Sequence, residues 1–372
     1  MIRGEVLSDA SDVARMSDAW TQLASANARP YCNPEWMLQW WSNVAPASAR
    51  LHVVAVAEDD RVIGIAPFYA DTERRGPVRY RLLGAGTSLR GDVLAEAGRE
   101  TDVARAVAVA LPSEGPAVIA FEGVSAGSAW PALLARHWPD AGASTAFREW
   151  SIQAPVLALD APSFDEWLST KSSNFRQQMR RGRTQLEKLG ATFRMAGSED
   201  ELRSDLRAFS RLHRDRWAGR GGTNVLSAPV ETMLVEAGRR MLDGRFRLWS
   251  LEIGDELVSS HLFLVAGGEV SYWLGGFDQR WARYKPSIQV LLAAIEDAWE
   301  RGDARVDLGG GSQDYKLRFT DATERLDWVT VVPPGWRRPV TRAAVATVRA
   351  RRKALSKLSP QLQARVRSLV RR

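Results

Sequence analysis

The chain has 372 residues, 45% of them hydrophobic, with 15 tryptophans and one cysteine, Cys32. That length exceeds one typical domain, supplies enough apolar residues for two cores, and the lone cysteine excludes an internal disulfide framework. The formal charge of +7 is uneven: residues 335–372 hold 12 Lys or Arg and no acid, leaving 39 basic against 44 acidic residues elsewhere, a mildly acidic body that argues against a nucleic-acid-binding fold.

Residues 1–16 lack the apolar core of a signal peptide, and no window approaches the ~20 apolar residues of a membrane-spanning helix, so a cytoplasmic protein is expected. In chain order, Arg3 to Leu7 reads as a strand and Ser11 to Ser25 as a helix. Asn33-Pro34 caps a second helix that carries Trp36, Leu38, Trp40 and Trp41. Leu51 to Ala57 and Val62 to Tyr69 form two strands joined at an acidic turn, Asp59-Asp60. Short strands follow at Arg79 to Leu83 and Asp92 to Ala95, then a helix from Thr101 to Leu111. A buried strand at Ala117 to Phe121, a short helix at Ser128 to Ala135 and an extended stretch from Arg148 to Leu159 complete the first half.

The second half follows the same order. Asn174 to Leu189 is a basic helix, Ala191 to Met195 a strand, and Asp200 to Arg216 and Ala228 to Met241 are helices. Arg245 to Ile253 and Glu256 to Val265 are strands joined at Gly254-Asp255, matching the earlier acidic-turn pair. The pattern predicts a tandem repeat of one α/β unit, two mixed sheets side by side, with a boundary near Ala161-Pro162. Glu269 to Leu274 is a strand ended by Gly275-Gly276. Pro286 opens a helix whose apolar residues Ile288, Leu291, Leu292, Ile295 and Trp299 recur at helical spacing. Arg305 to Leu308 is a strand, released by Gly309-Gly310-Gly311 before Asp314-Tyr315-Lys316. Ligands settle beyond the carboxyl ends of such strands, where helix N-termini converge, so the site is expected there.

The hairpin at Gly254-Asp255, Gly275-Gly276-Phe277-Asp278, the helix after Lys285-Pro286-Ser287, and Val306 to Gly311 followed by Tyr315-Lys316 together resemble the second half of GNAT-type acyltransferases. Ser173 to Arg181 and the early Asn33-Pro34-Glu35-Trp36 fit the group associated with cellulose and exopolysaccharide biosynthesis, itself similar to Fem-type peptidyltransferases with two GNAT-like domains. The resemblance spans roughly residues 1–333 by element order. It implies an N-terminal GNAT-like domain over 1–160 and a C-terminal one over 161–334 carrying the donor site; the residues beyond read, from their own pattern, as a basic amphipathic tail over 335–372. It also implies an acetyl-CoA or other acyl-CoA donor and an amine or hydroxyl acceptor on a small molecule or sugar, with aminoacyl-tRNA as the donor of the Fem-like alternative. A non-catalytic scaffold with the same fold is the remaining class.

Ordinary GNAT enzymes grip the coenzyme A pyrophosphate with a glycine-containing loop, whereas residues 279–287 here contain no glycine. Arg280, Arg283 and Lys285 would supply cations instead, Ser287 a hydroxyl, and Tyr284 a cleft wall beside Tyr315 and Lys316. Backbone N–H groups near Gly275 and Gly276 would stabilise the oxyanion. Lys316, matching the family's Tyr/Phe-Lys signature with Tyr315 beside it, would neutralise a phosphate or orient the carbonyl under attack. His261 shares a strand face with Ser259 and Phe263, and is either a general base, if that face lines the cleft, or a core histidine. Arg176, Arg180 and Arg183, three or four apart, put a cationic stripe on one helical face, either solvated or binding phosphates of a substrate, with Asp314 a further substrate-binding candidate. His213 and Trp217, four apart on a helix, are expected to pack rather than react. The four histidines are scattered, so no metal site is expected. The tail, alternating Val and Ala with Arg and Lys, would either hold the protein at an anionic inner-membrane surface or pack on the domain with its charges in solvent.

Overall fold

A computed structural model describes residues 1–71, 77–111, 117–139, 144–218, 225–311, 313–320 and 322–334, with scattered positions between 339 and 350. The tail expected over 335–372 therefore lies almost wholly outside the described residues. The first half comprises β1 (Ile2–Leu7), α1 (Ala10–Ala14), α2 (Ser17–Ala26), α3 (Pro34–Asn43), β2 (Ala49–Glu58), β3 (Arg61–Asp71), β4 (Val78–Leu82), β5 (Leu94–Ala95), α4 (Glu100–Ala110), β6 (Ala117–Ser125), α5 (Trp130–His137) and β7 (Thr145–Ala158). The second comprises α6 (Phe164–Thr170), α7 (Ser173–Glu187), β8 (Ala191–Met195), α8 (Glu199–Ala218), α9 (Ala228–Arg240), β9 (Phe246–Ile253), β10 (Glu256–Ala266), β11 (Glu269–Phe277), α10 (Pro286–Glu300), β12 (Arg305–Asp307), α11 (Asp314–Leu317) and β13 (Ala322–Val332).

The repeat expected from the sequence appears as a repeat of pairing. In the first half β1, β2, β3 and β4 pair antiparallel in order, and β4 then pairs parallel with β6. In the second β8, β9, β10 and β11 do the same, and β11 pairs parallel with β12. The fold is thus a tandem, mixed α/β arrangement of two GNAT-like units. The expectation of two separate sheets is corrected. The halves exchange their last strands, since β7 of the first pairs with β12 of the second and β13 of the second pairs with β6 of the first. β7 and β13 also pair with each other over eleven residues, so a single sheet runs from β1 to β8. A 14-residue strand such as β7 has enough backbone donors and acceptors to satisfy a partner on each edge, and pairing both leaves no exposed edge between the units.

Local chemistry explains the helices that frame the site. Asn33 accepts from the Glu35 N–H at 3.0 Å and Pro34 occupies the first turn of α3, as the sequence suggested. Ser172 caps α7 by accepting from the Phe175 N–H at 3.2 Å. One core is common to both halves: Trp20, Trp36 and Trp40 pack in the same cluster as Phe209, Met233 and Leu234. On the opposite face of the second half, Phe175 and Met179 of α7 meet Leu291 and Ile295 of α10 and Phe263 of β10. A shared core and a shared sheet tie the two units mechanically.

Candidate active site

The opening that organises the site lies between β11 and β12. Their pairing covers only Glu269–Ser271 against Arg305–Asp307. Beyond it, β11 keeps β10 on one edge and runs on to Phe277. The glycines at 275 and 276 therefore do not end the strand, as the sequence reading had them do; they thin it. A Cβ on Gly275 would sit 2.7 Å from both the His261 ring and the Tyr272 hydroxyl, and one on Gly276 would sit 2.8 Å from the His213 backbone nitrogen. Residues without side chains are required for β11 to lie this close to its neighbours on both faces.

β12 ends in Asp307, and Gly309 and Gly311 have positive φ, which lets the chain turn sharply before α11. Asp307 holds the turn by accepting from the Gly309 N–H at 2.9 Å. Its other oxygen accepts from Arg90 Nε at 2.5 Å, both side chains being buried. Arg90 also donates to Glu324 at 2.8 Å and Ser125 at 3.1 Å. Lys316 Nζ donates to the Gly310 carbonyl at 2.8 Å and lies 5.8 Å from the Tyr272 ring centre. Lys316 is only 4% exposed. Burial lowers its ammonium to about 8, partly countered by Asp307, so it stays largely protonated at neutral pH.

One space meets this opening and a second lies at the start of α10. A cleft of about 770 Å³ is lined by Lys316, Tyr315, Tyr272, Gly275, His213 and Trp217, among others. Trp150 and Trp328 also line it, stacked with centroids 3.7 Å apart at 17°; they are cross-strand partners on β7 and β13. The first half closes one wall with Gly86–Leu89, where Thr87 O accepts from Trp273 Nε1 at 2.8 Å. A second space, about 520 Å³, lies between α7 and the start of α10 and is lined by Gln178, Arg181, Gln185, Arg283, Tyr284 and Lys285. Tyr284 therefore does not share the Lys316 cleft, contrary to the sequence expectation. Lys285 takes a left-handed conformation, φ 54°, immediately before Pro286, a conformation glycine adopts at least cost.

The remaining candidates fall as follows. Arg280 is held by Asp278 and Glu256 and so does not serve as a free cation. Arg283 lies over the Tyr284 ring, 4.6 Å from its centre. Arg176, Arg180 and Arg181 line a groove along α7 with Lys188, while Arg183 turns to Glu187 and the Phe193 ring. Asp314 is exposed and Tyr315 half-buried. Only the tyrosine lines the cleft.

His261 is 2% exposed, and its Nε2 lies 2.9 Å from Ser287 Oγ. Burial drops its pKa to about 3, so it is neutral and a poor proton acceptor at physiological pH. The Ser287 hydroxyl is correspondingly engaged inward. His213, set aside from the sequence as a packing residue, does line the cleft. The signal that could have found it is its position near the end of a long helix, opposite a Gly-Gly pair thin enough to bring helix and strand together. Among the described residues no cluster of His, Cys, Asp and Glu is arranged to hold a metal, and no helix is long and apolar enough to cross a membrane.

Residues 173–317 match the family model of the acetyltransferase (GNAT) domain. Over those residues the chain is similar to a GNAT acetyltransferase domain. No curated protein matches the chain by sequence. Among solved structures, FemX is similar at 14% identity and TM-score 0.58, over 83% of this chain and 92% of that one. The C-terminal domain of a putative lysylphosphatidylglycerol synthetase from Agrobacterium fabrum is similar at 14% identity and TM-score 0.56, over 91% and 95%. L-PGS from Bacillus licheniformis is similar at 12% identity and TM-score 0.53, over 91% and 96%. At these identities the likeness concerns the fold. It runs over nearly the whole chain, well beyond residues 173–317.

Proposed function

We propose that this protein transfers an acyl group, acetyl in the simplest case, from acyl-CoA to a hydroxyl or amine of a sugar or other small molecule, in the setting of exopolysaccharide synthesis. The observation that carries this reading is the buried Lys316 ammonium on a glycine turn beside the open edge of β11. A cation there stabilises the oxygen that gains charge as the carbonyl is attacked. The groove between α7 and α10 fits the donor's phosphates: Arg181, Arg283 and Lys285 line it, and the first-turn N–H groups of α10 add partial positive charge. They take the place of the missing glycine loop. The aromatic cleft fits the acceptor, with the outer face of Trp150 offering a flat apolar surface to a sugar ring and Tyr315 at its side.

The test is titration calorimetry with acetyl-CoA and longer acyl-CoAs, followed by mass analysis of soluble oligosaccharides and amines incubated with labelled acetyl-CoA. Acetyl-CoA binding and a labelled acceptor are expected, with transfer, but not donor binding, lost or strongly reduced in Lys316→Ala. Absence of donor binding and transfer across the panel would overturn the reading. An aminoacyl-tRNA donor is favoured by one feature, the cationic face of α7 that continues past the groove through Arg176, Arg180 and Lys188; a labelled aminoacyl-tRNA arm in the same assay decides between donors. We further propose a cytoplasmic protein held at the anionic inner leaflet by the 12 basic residues of 335–372, at ~1 kcal/mol for each one near the surface. Low-salt co-sedimentation of the full chain with anionic liposomes, and not of a chain ending at Pro334, is expected; equal behaviour refutes it.

A further inference from the structure

We infer that His213 is the general base that takes the proton from the acceptor in the acyl transfer proposed above. Its imidazole is only 3% exposed yet lines the cleft, within the wall that also includes Gly275, Trp217 and Lys316. Nδ1 lies 3.4 Å from the Gly275 carbonyl oxygen. A carbonyl can only accept, so Nδ1 carries the hydrogen and Nε2 keeps its lone pair. Nε2 is buried and has no hydrogen-bond partner among the described residues. A buried polar atom with no partner is costly and rare. An acceptor hydroxyl or amine in the cleft would supply the missing donor.

The other histidine near the opening is built differently. His261 has its Nε2 engaged with Ser287, sits on β10 opposite Gly275, and is not among the residues lining the cleft. The groups facing His213 favour its neutral form. On α8 it is flanked by Arg214, which Glu231 of α9 holds, and by Arg216, which lies 5.1 Å from the Phe277 ring centre. From β11 comes Tyr272, from α11 come Tyr315 and the Lys316 ammonium, and from β6 comes Glu122, itself paired to Arg81. Burial and the two arginines lower its pKa below 6.5, so the free base is present throughout the neutral range.

The step balances as follows. The acceptor's lone pair forms a bond to the acyl carbon while its proton passes to His213 Nε2, and the carbonyl π pair moves to the oxygen beside Lys316. Collapse of that oxyanion breaks the carbon–sulfur bond. The imidazolium then returns its proton to the departing thiolate, giving the acylated acceptor and free coenzyme A thiol. Because the inference rests on the acyltransferase reading, its test has a readout that needs no turnover. In the intact chain, ¹⁵N-histidine NMR at pH 7 is expected to show one neutral imidazole protonated at Nδ1 that disappears in His213→Gln. An Nε2-protonated tautomer, or a protonated ring, overturns the inference even if no substrate is found. With an active acceptor, His213→Gln is expected to lower kcat by about 10²–10⁴-fold, to abolish the acid limb of the kcat/KM profile, and to leave the dissociation constant for acetyl-CoA within about twofold. His213→Ala is expected to regain activity with added imidazole, which a packing role would not allow. Full activity in folded His213→Gln, or an unchanged acid limb, overturns it.

Discussion

Removing the Arg90 guanidinium while keeping its aliphatic bulk, Arg90→Met, is expected to destabilise the whole molecule rather than the first half alone. The Asp307 side chain it serves is 1% exposed and Arg90's own is 7% exposed. Without Arg90, the carboxylate retains only the Gly309 N–H as a hydrogen-bond donor among the described residues. Breaking a buried ion pair from one side costs about 3–5 kcal/mol, because the remaining charge is left uncompensated. Asp307→Asn is milder, about 1–3 kcal/mol: the amide oxygen still accepts from Gly309, and Arg90 keeps Glu324 and Ser125. The double variant is therefore expected to be more stable than the sum of the singles predicts, by about 1–3 kcal/mol. Guanidinium denaturation of the full chain, followed by tryptophan fluorescence and far-ultraviolet dichroism, measures all four corners of the cycle. Since both halves share one sheet and one core, the two probes should report a single coincident transition. A cost below ~1 kcal/mol for Arg90→Met, or additivity of the two substitutions, refutes the reasoning. Two separated transitions would refute the mechanical union of the halves.

Three further outcomes follow from the site. Gly275→Ala places a methyl 2.7 Å from the His261 ring and the Tyr272 hydroxyl, so a loss of about 1–3 kcal/mol and a lower melting temperature are expected; an unchanged melting temperature would mean the wall of the opening is soft. Trp150→Ala, at a position already 41% exposed, is expected to change stability little but to raise acceptor KM about tenfold with donor affinity unchanged, measured by initial rates; an unchanged KM removes the acceptor platform. Lys316 has a folded pKa lowered from 10.5 to about 8. Below pH 8 both states are protonated and the folded state carries the full burial penalty. Between about 8 and 10.5 the unfolded chain binds more protons, so stability rises with pH through that window, by on the order of 3 kcal/mol. Lys316→Met should flatten this rise in denaturation curves taken from pH 7 to 10.5; an identical pH dependence in the variant refutes the assignment.

The order of elements was legible because it rests on local rules. Asn33-Pro34, Asp59-Asp60, Gly254-Asp255 and Lys285-Pro286 mark helix starts and tight turns through side-chain capping and backbone freedom, and these act within a few residues. The strand exchange was not legible. β7 read as one more extended segment and β13 was not singled out as an element, and which neighbour a strand chooses depends on partners more than a hundred residues away. The site divided the same way. Lys316 and the glycine turn adjoin in sequence and stay together in the fold. Tyr284 and Lys316 are brought to the same end of the sheet but into different spaces, because Lys285 turns the chain away at its positive φ. His261 followed the strand alternation correctly, yet alternation gives a face and not a depth. His213 was passed over because a histidine four residues from a tryptophan on a helix looks like packing. Its cleft position depends on the closeness of α8 to Gly276, which no helical periodicity reports.

A single GNAT-like unit would leave the β11 edge beyond Ser271 bare, and here the first half supplies what that edge lacks. Tyr31 donates its hydroxyl to the Tyr272 carbonyl at 3.3 Å, Trp273 donates to Thr87 O, and Arg90 fixes Asp307 beneath the glycine turn. Each of these contacts joins residues more than 180 positions apart, and each ends on the backbone or turn that frames Lys316. None comes from a residue carrying an acyl-transfer role itself. Burial pushes the Tyr31 phenol well above its ordinary pKa, so it remains a donor across the working pH range. The first half is thus a wall and a brace for the second half's opening, held in place by the exchanged strands. The family match, residues 173–317, covers that opening but not Tyr31, Thr87 and Arg90, so the rigidity of the opening depends on residues outside the matched span.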